Sequence, residues 1–214
     1  MAEKKGNHIV VVLIITVVII LGIWFVAANF LGPEPEVKAG GKVISMRTEI
    51  QELLDEGFVL CSNSGQVVKD MESVMLEAKQ IYYQSYYLGV AHANGNYADL
   101  TGIIITPANF DSAKKKLTEC SIFELEYRPG LDKGTNEITI SGTAVKNADA
   151  DAWTKFFKKH NYPFKSDELK KFVGGEEILM SGIRGRYKYE AQVEGKLVSY
   201  VKFQRNVELD YKIQ

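Results

Sequence analysis

Cysteine is nearly absent: the 214-residue chain has two, Cys61 and Cys120, neither in a CxxC and neither at metal-ligand spacing, so thiolate zinc sites and redox pairs are excluded. Histidine is as scarce. His8 borders an apolar run, and His92 and His160 stand alone, with no Cys or Glu at ligating distance along the chain. No phosphate-cradling loop is present, because neither Gly174–Gly175 nor the Gly182 and Gly185 pair has the flanking pattern. Charge of one sign is missing too. Lys and Arg total 26 against 27 Asp and Glu. This removes the electrostatic case for nucleic acid and for docking on an anionic membrane surface.

What the chain does have is one long uncharged run. Residues 9–28, from Ile9 to Ala28, contain no ionisable side chain. At about 1.5 Å per helical residue they match the roughly 30 Å hydrocarbon core of a bilayer. Lys4 and Lys5 precede the run, and Glu34 and Glu36 follow it, so positive-inside bias puts residues 1–8 in the cytoplasm. Trp24, Phe25 and Phe30 suit an aromatic belt at the far interface. The expected organisation is a cytoplasmic tail over 1–8, a single-pass transmembrane anchor over 9–31 and a linker over 32–41 with Pro33 and Pro35. Two α+β halves follow, over 42–130 and 131–214. Two rival readings export the same domain: a signal peptide cleaved after Ala28, and a pilin-like leader cleaved after Gly6. Against the first stands the usual 7 to 15 residue length of a signal peptide's apolar core. Against the second stands Val11 where pilins carry a glutamate.

About 180 residues follow the anchor, enough for one domain with a sizeable core. Eleven Tyr and ten Phe supply that core. Residues 41–46 read as a strand. Thr48, with Gln51 as its capping-box partner, opens a helix that ends at Gly57, and 58–61 returns as a strand. Between 66 and 80, Val67, Met71, Val74 and Met75 have helical spacing, without deciding the element. Residues 81–93 read as a strand, joined through Asn94–Gly95 to a partner over 99–105. Pro107 fits the first turn of a helix carrying Phe110, Ala113 and Leu117 on one face. Residues 122–127 and 137–141 read as strands. Asn147 or Asp149 opens a helix with a Trp153, Phe156, Phe157 stripe, and Ser166 caps another. The C-terminus alternates as an antiparallel meander over 187–193, 197–203 and 207–213. The fold class is therefore α+β, built of strand–helix–strand modules.

The segment Thr48 to Phe58, and the Ile138 to Gly142 strand before the Trp153 helix, resemble modules of exported, membrane-anchored surface proteins of Gram-positive bacteria. The resemblance implies an exported surface protein and assigns no activity.

Catalytic patterns are incomplete. Ser112 and Lys115 imitate an S-x-x-K, but its partner motifs are missing. Asn147, Asp149 and Asp151 imitate an EF-hand start, yet Ala152 replaces the required Gly and Lys158 the bidentate Glu. No cofactor or metal is expected. An exported compartment permits a Cys61–Cys120 disulfide, with two buried free thiols as the alternative. The tyrosines Tyr82, Tyr83, Tyr86 and Tyr87 are the most unusual exported feature. They read either as an interaction surface or as a core strand with aromatics on both faces. The function expected is a membrane-anchored extracytoplasmic binding domain without catalysis, its partner a protein or a cell-wall polymer. The alternatives are a tethered envelope hydrolase using His92 or His160, and a minor pilin-like subunit.

Overall fold

A computed structural model describes residues 12–22, 34–133, 137–145, 148–207 and 209. Residues 12–22 form a helix, α1, whose described side chains are all exposed. Eleven residues rise about 16 Å, half a bilayer core. Among the described residues no helix is long and apolar enough to cross a membrane. The rest of the uncharged run, 9–11 and 23–28, lies outside them, as do the tail at 1–8 and Pro33 of the linker.

The domain begins with β1 (Glu36–Ala39), β2 (Lys42–Ser45), helix α2 (Ile50–Asp55) and β3 (Phe58–Cys61). Next come β4 (Met75–Leu76), β5 (Tyr86–Ala91), β6 (Ala98–Ala108), β7 (Lys115–Lys116) and β8 (Ser121–Asp132). Then follow β9 (Ile138–Ile140), β10 (Thr143–Ala144), helices α3 (Ala150–Lys159) and α4 (Ser166–Gly174), and finally β11 (Ile178–Arg184), β12 (Tyr187–Glu194) and β13 (Leu197–Arg205). Seven strands make one antiparallel sheet in the order β11-β12-β13-β8-β6-β5-β3. A second sheet has the order β10-β9-β1-β2, and β4 pairs with β7. The fold is α+β, as expected, and β11, β12 and β13 form a C-terminal antiparallel meander.

Alternation decides which face of the large sheet is dry. Leu60, Leu88, Ile103, Ile105, Leu125, Tyr127, Tyr189, Ala191, Val201 and Phe203 point to one side. They meet Val37, Ile44, Ile138 and Ile140 of the small sheet and Trp153, Phe157, Leu169 and Phe172 of α3 and α4 in one buried cluster. Aromatic rings carry much of this contact. Tyr162 packs 5.2 Å from Phe157, 5.0 Å from Tyr189 and 6.1 Å from Phe203 between ring centres, edge-on or tilted, the favoured geometries. Because β1 pairs with β9, and β8 runs through residue 130 in the sheet that also holds β3 and β13, each sheet contains strands from both sides of the expected boundary near residue 130.

Several local expectations change. The Thr48–Gln51 capping box does not form. The Thr48 hydroxyl accepts from the Ser45 amide at 3.0 Å, and Gln51 donates to Asp55 instead. Residues 66–80 form no α-helix but isolated bridges at Gln66 and Val67, a 3-10 turn over Met71–Ser73 and the two-residue strand β4, since Val67 packs in a small cluster with Cys61 while Met71 and Leu76 enter the main core. The helix expected after Pro107 is strand and loop. Pro107 sits at a register shift in β6, and its carbonyl accepts from the Tyr82 amide at 2.9 Å. The Asn109 amide then donates to the Leu76, Glu77 and Ala113 carbonyls, which fixes a turn there. The strand expected from Ile81 begins only at Tyr86. Strand β11 was not foreseen. The last expected strand, 207–213, falls largely outside the described residues.

Candidate functional site

Among the described residues no helix packs on the second face of the large sheet, and its residues follow from the register. Ser181 lies opposite Glu190, Glu190 opposite Lys202, Lys202 opposite Glu126, Glu126 opposite Ile104, Ile104 opposite Tyr87, and Tyr87 opposite Cys61. One cross-strand row therefore spans all seven strands on the side away from the core. Flanking rows add Lys188, Gln204 and Glu124 on one side and Gln192, Tyr200 and Arg128 on the other.

Charges on this row are paired. Lys202 lies 3.0 Å from Glu190 and 3.8 Å from Glu124, and Lys188 lies 3.4 Å from Glu190. Arg128 pairs with Glu126. The Tyr200 hydroxyl donates to Glu190 at 2.7 Å. Arg128 and the Lys202 ammonium sit 5.7 and 5.6 Å from the Tyr200 ring centre, within cation–π range. Glu126 and Glu190 are buried by these neighbours, while Arg128 is exposed.

The same neighbours set the titration. Burial pushes the Glu190 carboxyl up, but the Tyr200 hydroxyl and the Lys202 ammonium outweigh it, so its pKa is lowered. Burial pushes Glu124 up, and Lys202 only partly offsets this. The hydrogen bond to Glu126 raises Arg128, with Tyr87 and Tyr200 adding to the effect. The result is a fixed array of paired charges with two half-buried tyrosines and an exposed guanidinium. Tyr and Arg are the side chains most enriched at binding hot spots.

The four tyrosines singled out from sequence divide. Tyr82 and Tyr86 are buried and stack with ring centres 5.6 Å apart. Tyr83 is 65% exposed and tilts against Tyr82 at 4.8 Å. Tyr87 alone joins the open face. Tyr200, Arg128, Glu126, Glu190 and Lys202 were not foreseen as site residues. The signal for three of them was the polar half of the alternation over 187–203.

Cys61 and Cys120 are free and buried, so the disulfide reading gives way to the alternative of two thiols. The reason is placement. Cys61 packs with Ala98 and Leu100, whereas Cys120 belongs to the main core. Burial pushes the first up to about 11 and the second up to about 12. His92 pairs with Asp99 at 3.1 Å on an exposed hairpin. His160 shares a 3.0 Å hydrogen bond with the Thr143 hydroxyl, and burial holds its pKa below the ordinary value. Among the described residues neither has a Ser or Cys partner. Ser112 and Lys115 lie in loop and short strand, with Lys115 held by Asp111 at 2.5 Å. Asp149 caps α3 by accepting from the Ala152 amide at 2.8 Å, and Asn147 lies outside the described residues. Among the described residues no His, Cys, Asp and Glu cluster has metal-binding geometry.

A cavity of about 640 Å³ lies between the start of α3 and the β12–β13 turn, lined in part by Asp149, Trp153, Glu194 and Val198. Two of its carboxylates serve the fold, Asp149 as the cap and Glu194 as acceptor from Gln192 at 3.4 Å.

Comparisons with protein-family models, with curated proteins and with solved structures give no match. The functional reading therefore rests on the geometry of this chain.

Proposed function

We propose that this is a single-pass, membrane-anchored protein of the cell surface, of the kind its Thr48 to Phe58 module resembles. Its extracytoplasmic domain binds a partner through the open face of the large sheet and performs no catalysis. The observation that carries the binding reading is the Tyr87, Arg128 and Tyr200 patch on that face. It offers two planar amphipathic rings and one guanidinium, of which the Tyr200 ring is held by Glu190 and the Arg128 guanidinium by Glu126. A surface held in advance loses little side-chain entropy on binding.

The anchor reading is supported by α1. Its large apolar side chains, Val12 to Leu21, are each at least half exposed. Apolar surface on this scale needs lipid or a partner.

The test is a photo-crosslinking residue placed at Arg128 or Tyr200 in the full-length protein on intact cells. A single dominant adduct, lost with Tyr87→Ser, supports a protein partner. Retention on purified wall material, also lost with Tyr87→Ser, supports a polymer ligand. Turnover of wall fragments or peptides, abolished by one polar substitution, overturns the non-enzymatic reading.

A further inference from the structure

We infer that the edge of β11 is a self-association site, where two copies join their large sheets by antiparallel pairing of β11 with β11 about a two-fold axis. The opposite edge of the sheet is protected. Val67 bridges to Cys61, and the Val68 amide donates to the Leu60 carbonyl at 2.9 Å, so β3 is covered. Strand β11 ends the sheet order, and among the described residues no backbone hydrogen bond reaches it from outside the sheet. Exposed strand edges template further pairing unless blunted by Lys, Pro or inward charge. Between Ile178 and Ile183 there is none of these.

The phase of the free edge follows from the turn. Gly185 and Arg186 make a two-residue hairpin loop, with Gly185 at φ 60°, and Arg184 pairs with Tyr187 across it. Counting back from this hydrogen-bonded closing pair, Leu179, Ser181 and Ile183 direct their amides and carbonyls away from β12. Their side chains all lie on the open face. Leu179 is 54% exposed and Ile183 59%, two of the largest apolar exposures in the domain.

The strand is complementary to itself. In an antiparallel pair centred on Ser181, Ser181 faces Ser181 of the copy, and Leu179 faces Ile183 of the copy twice over. Both exposed apolar side chains are then covered by cross-strand partners. The ends match in charge. Glu176 and Glu177 precede the strand, while Arg184 and Arg186 close it, so each acidic end lies beside the copy's basic end. Arg184 is steadied there by donating to the His160 and Asn161 carbonyls at 2.9 and 3.2 Å. This is an isologous interface, and it closes at two copies. It leaves the Tyr87, Arg128 and Tyr200 patch uncovered on each copy.

The test is cysteine cross-linking of the full chain in detergent. The Cα atoms of Ser181 and its mate would lie about 5.5 Å apart, inside disulfide range. Under mild oxidation Ser181→Cys should give covalent dimer roughly a hundredfold faster than the unmodified chain, because held thiols meet at an effective concentration near mM. Leu179→Cys alone and Ile183→Cys alone should give little. Mixing those two proteins should restore the dimer. Ile183→Lys should shift the solution mass from dimer to monomer while the far-UV circular dichroism of the folded domain is retained. No excess dimer from Ser181→Cys overturns the inference, including the case of a dimer held by α1 in the micelle. So does equal cross-linking at all three positions, or capture of a different chain by Ser181→Cys.

Discussion

Tyr200 reaches diagonally across the β12–β13 pair and donates its hydroxyl to Glu190 at 2.7 Å, on the same carboxylate oxygen that Lys202 approaches at 3.0 Å. Both groups favour the ionised form, and together they overcome the burial that would raise it. The folded pKa is therefore below the unfolded one. The stabilisation is present above the ordinary carboxylate range and disappears as pH falls through the folded value. Glu190→Gln is expected to lose about 1.5 to 3 kcal/mol at neutral pH, the scale of hydrogen bonds to a charged group. The gap from the native protein should narrow in acid. Urea melts at a series of pH values check this, and a gap independent of pH would contradict it.

Glu124 carries the opposite sign. Burial raises its carboxyl, Lys202 at 3.8 Å only partly opposes this, and Glu126 and Glu190 raise it further. The unfolded chain ionises first as pH rises, so the folded state loses stability between the two pKa values. Glu124→Gln should match or exceed the native protein at neutral pH, by up to about 1 kcal/mol. Its advantage should vanish in acid. The same melts separate the two carboxylates by the direction of their trends.

Cys61 and Cys120 should stay unlabelled by a thiol reagent near neutral pH in the native protein, since each is buried and neutral. Both should react as soon as denaturant opens the fold. Reductant should leave the melting temperature unchanged. One fast-reacting thiol in native buffer would contradict the packing described for it.

Two glycines make a paired test. An added Cβ at Gly182 would lie 2.2 Å from the Pro163 carbonyl oxygen and 2.9 Å from its ring carbons, so the loop after α3 would have to move. Gly182→Ala is expected to cost about 1 to 3 kcal/mol, the range for overpacking. At Gly174, in the last turn of α4, the added carbon meets nothing within 4 Å. Gly174→Ala should stabilise by roughly 0.5 to 1 kcal/mol through helix propensity. Thermal melts of the two variants should shift in opposite directions.

Local signals in the chain were readable where one element satisfies its own pattern. The 58–61 strand after Gly57 at φ 91°, the Asp149-capped helix with its Trp153 stripe, and the alternation over 187–203 all stand in the fold. The failures have physical causes. Residues 107–117 have helical spacing, but the Asn109 side chain binds three carbonyls and makes a turn more favourable than a helix. In 66–80 the apolar side chains serve two separate clusters, so their spacing carries no single period. Tyr82 and Tyr87 looked like members of one aromatic stretch. They part company because the chain becomes strand only at Tyr86. The open face was illegible for another reason. Its row takes one residue from each of seven strands, and register between strands distant in sequence is not written in any one of them.

The chain enters its domain through an interior strand. In the order β10-β9-β1-β2, β1 has a hydrogen-bonded neighbour on both sides, one of them a hundred residues further along the chain. A pull on the segment before Glu36 therefore strains two ladders together, and cannot peel an edge strand one bond at a time. Mechanical load on the N-terminal side is shared at once between residues near 40 and residues near 140. The same arrangement delays completion of the fold. A chain emerging from its N-terminus has β1 and β2 ready long before β9 arrives to close the other side.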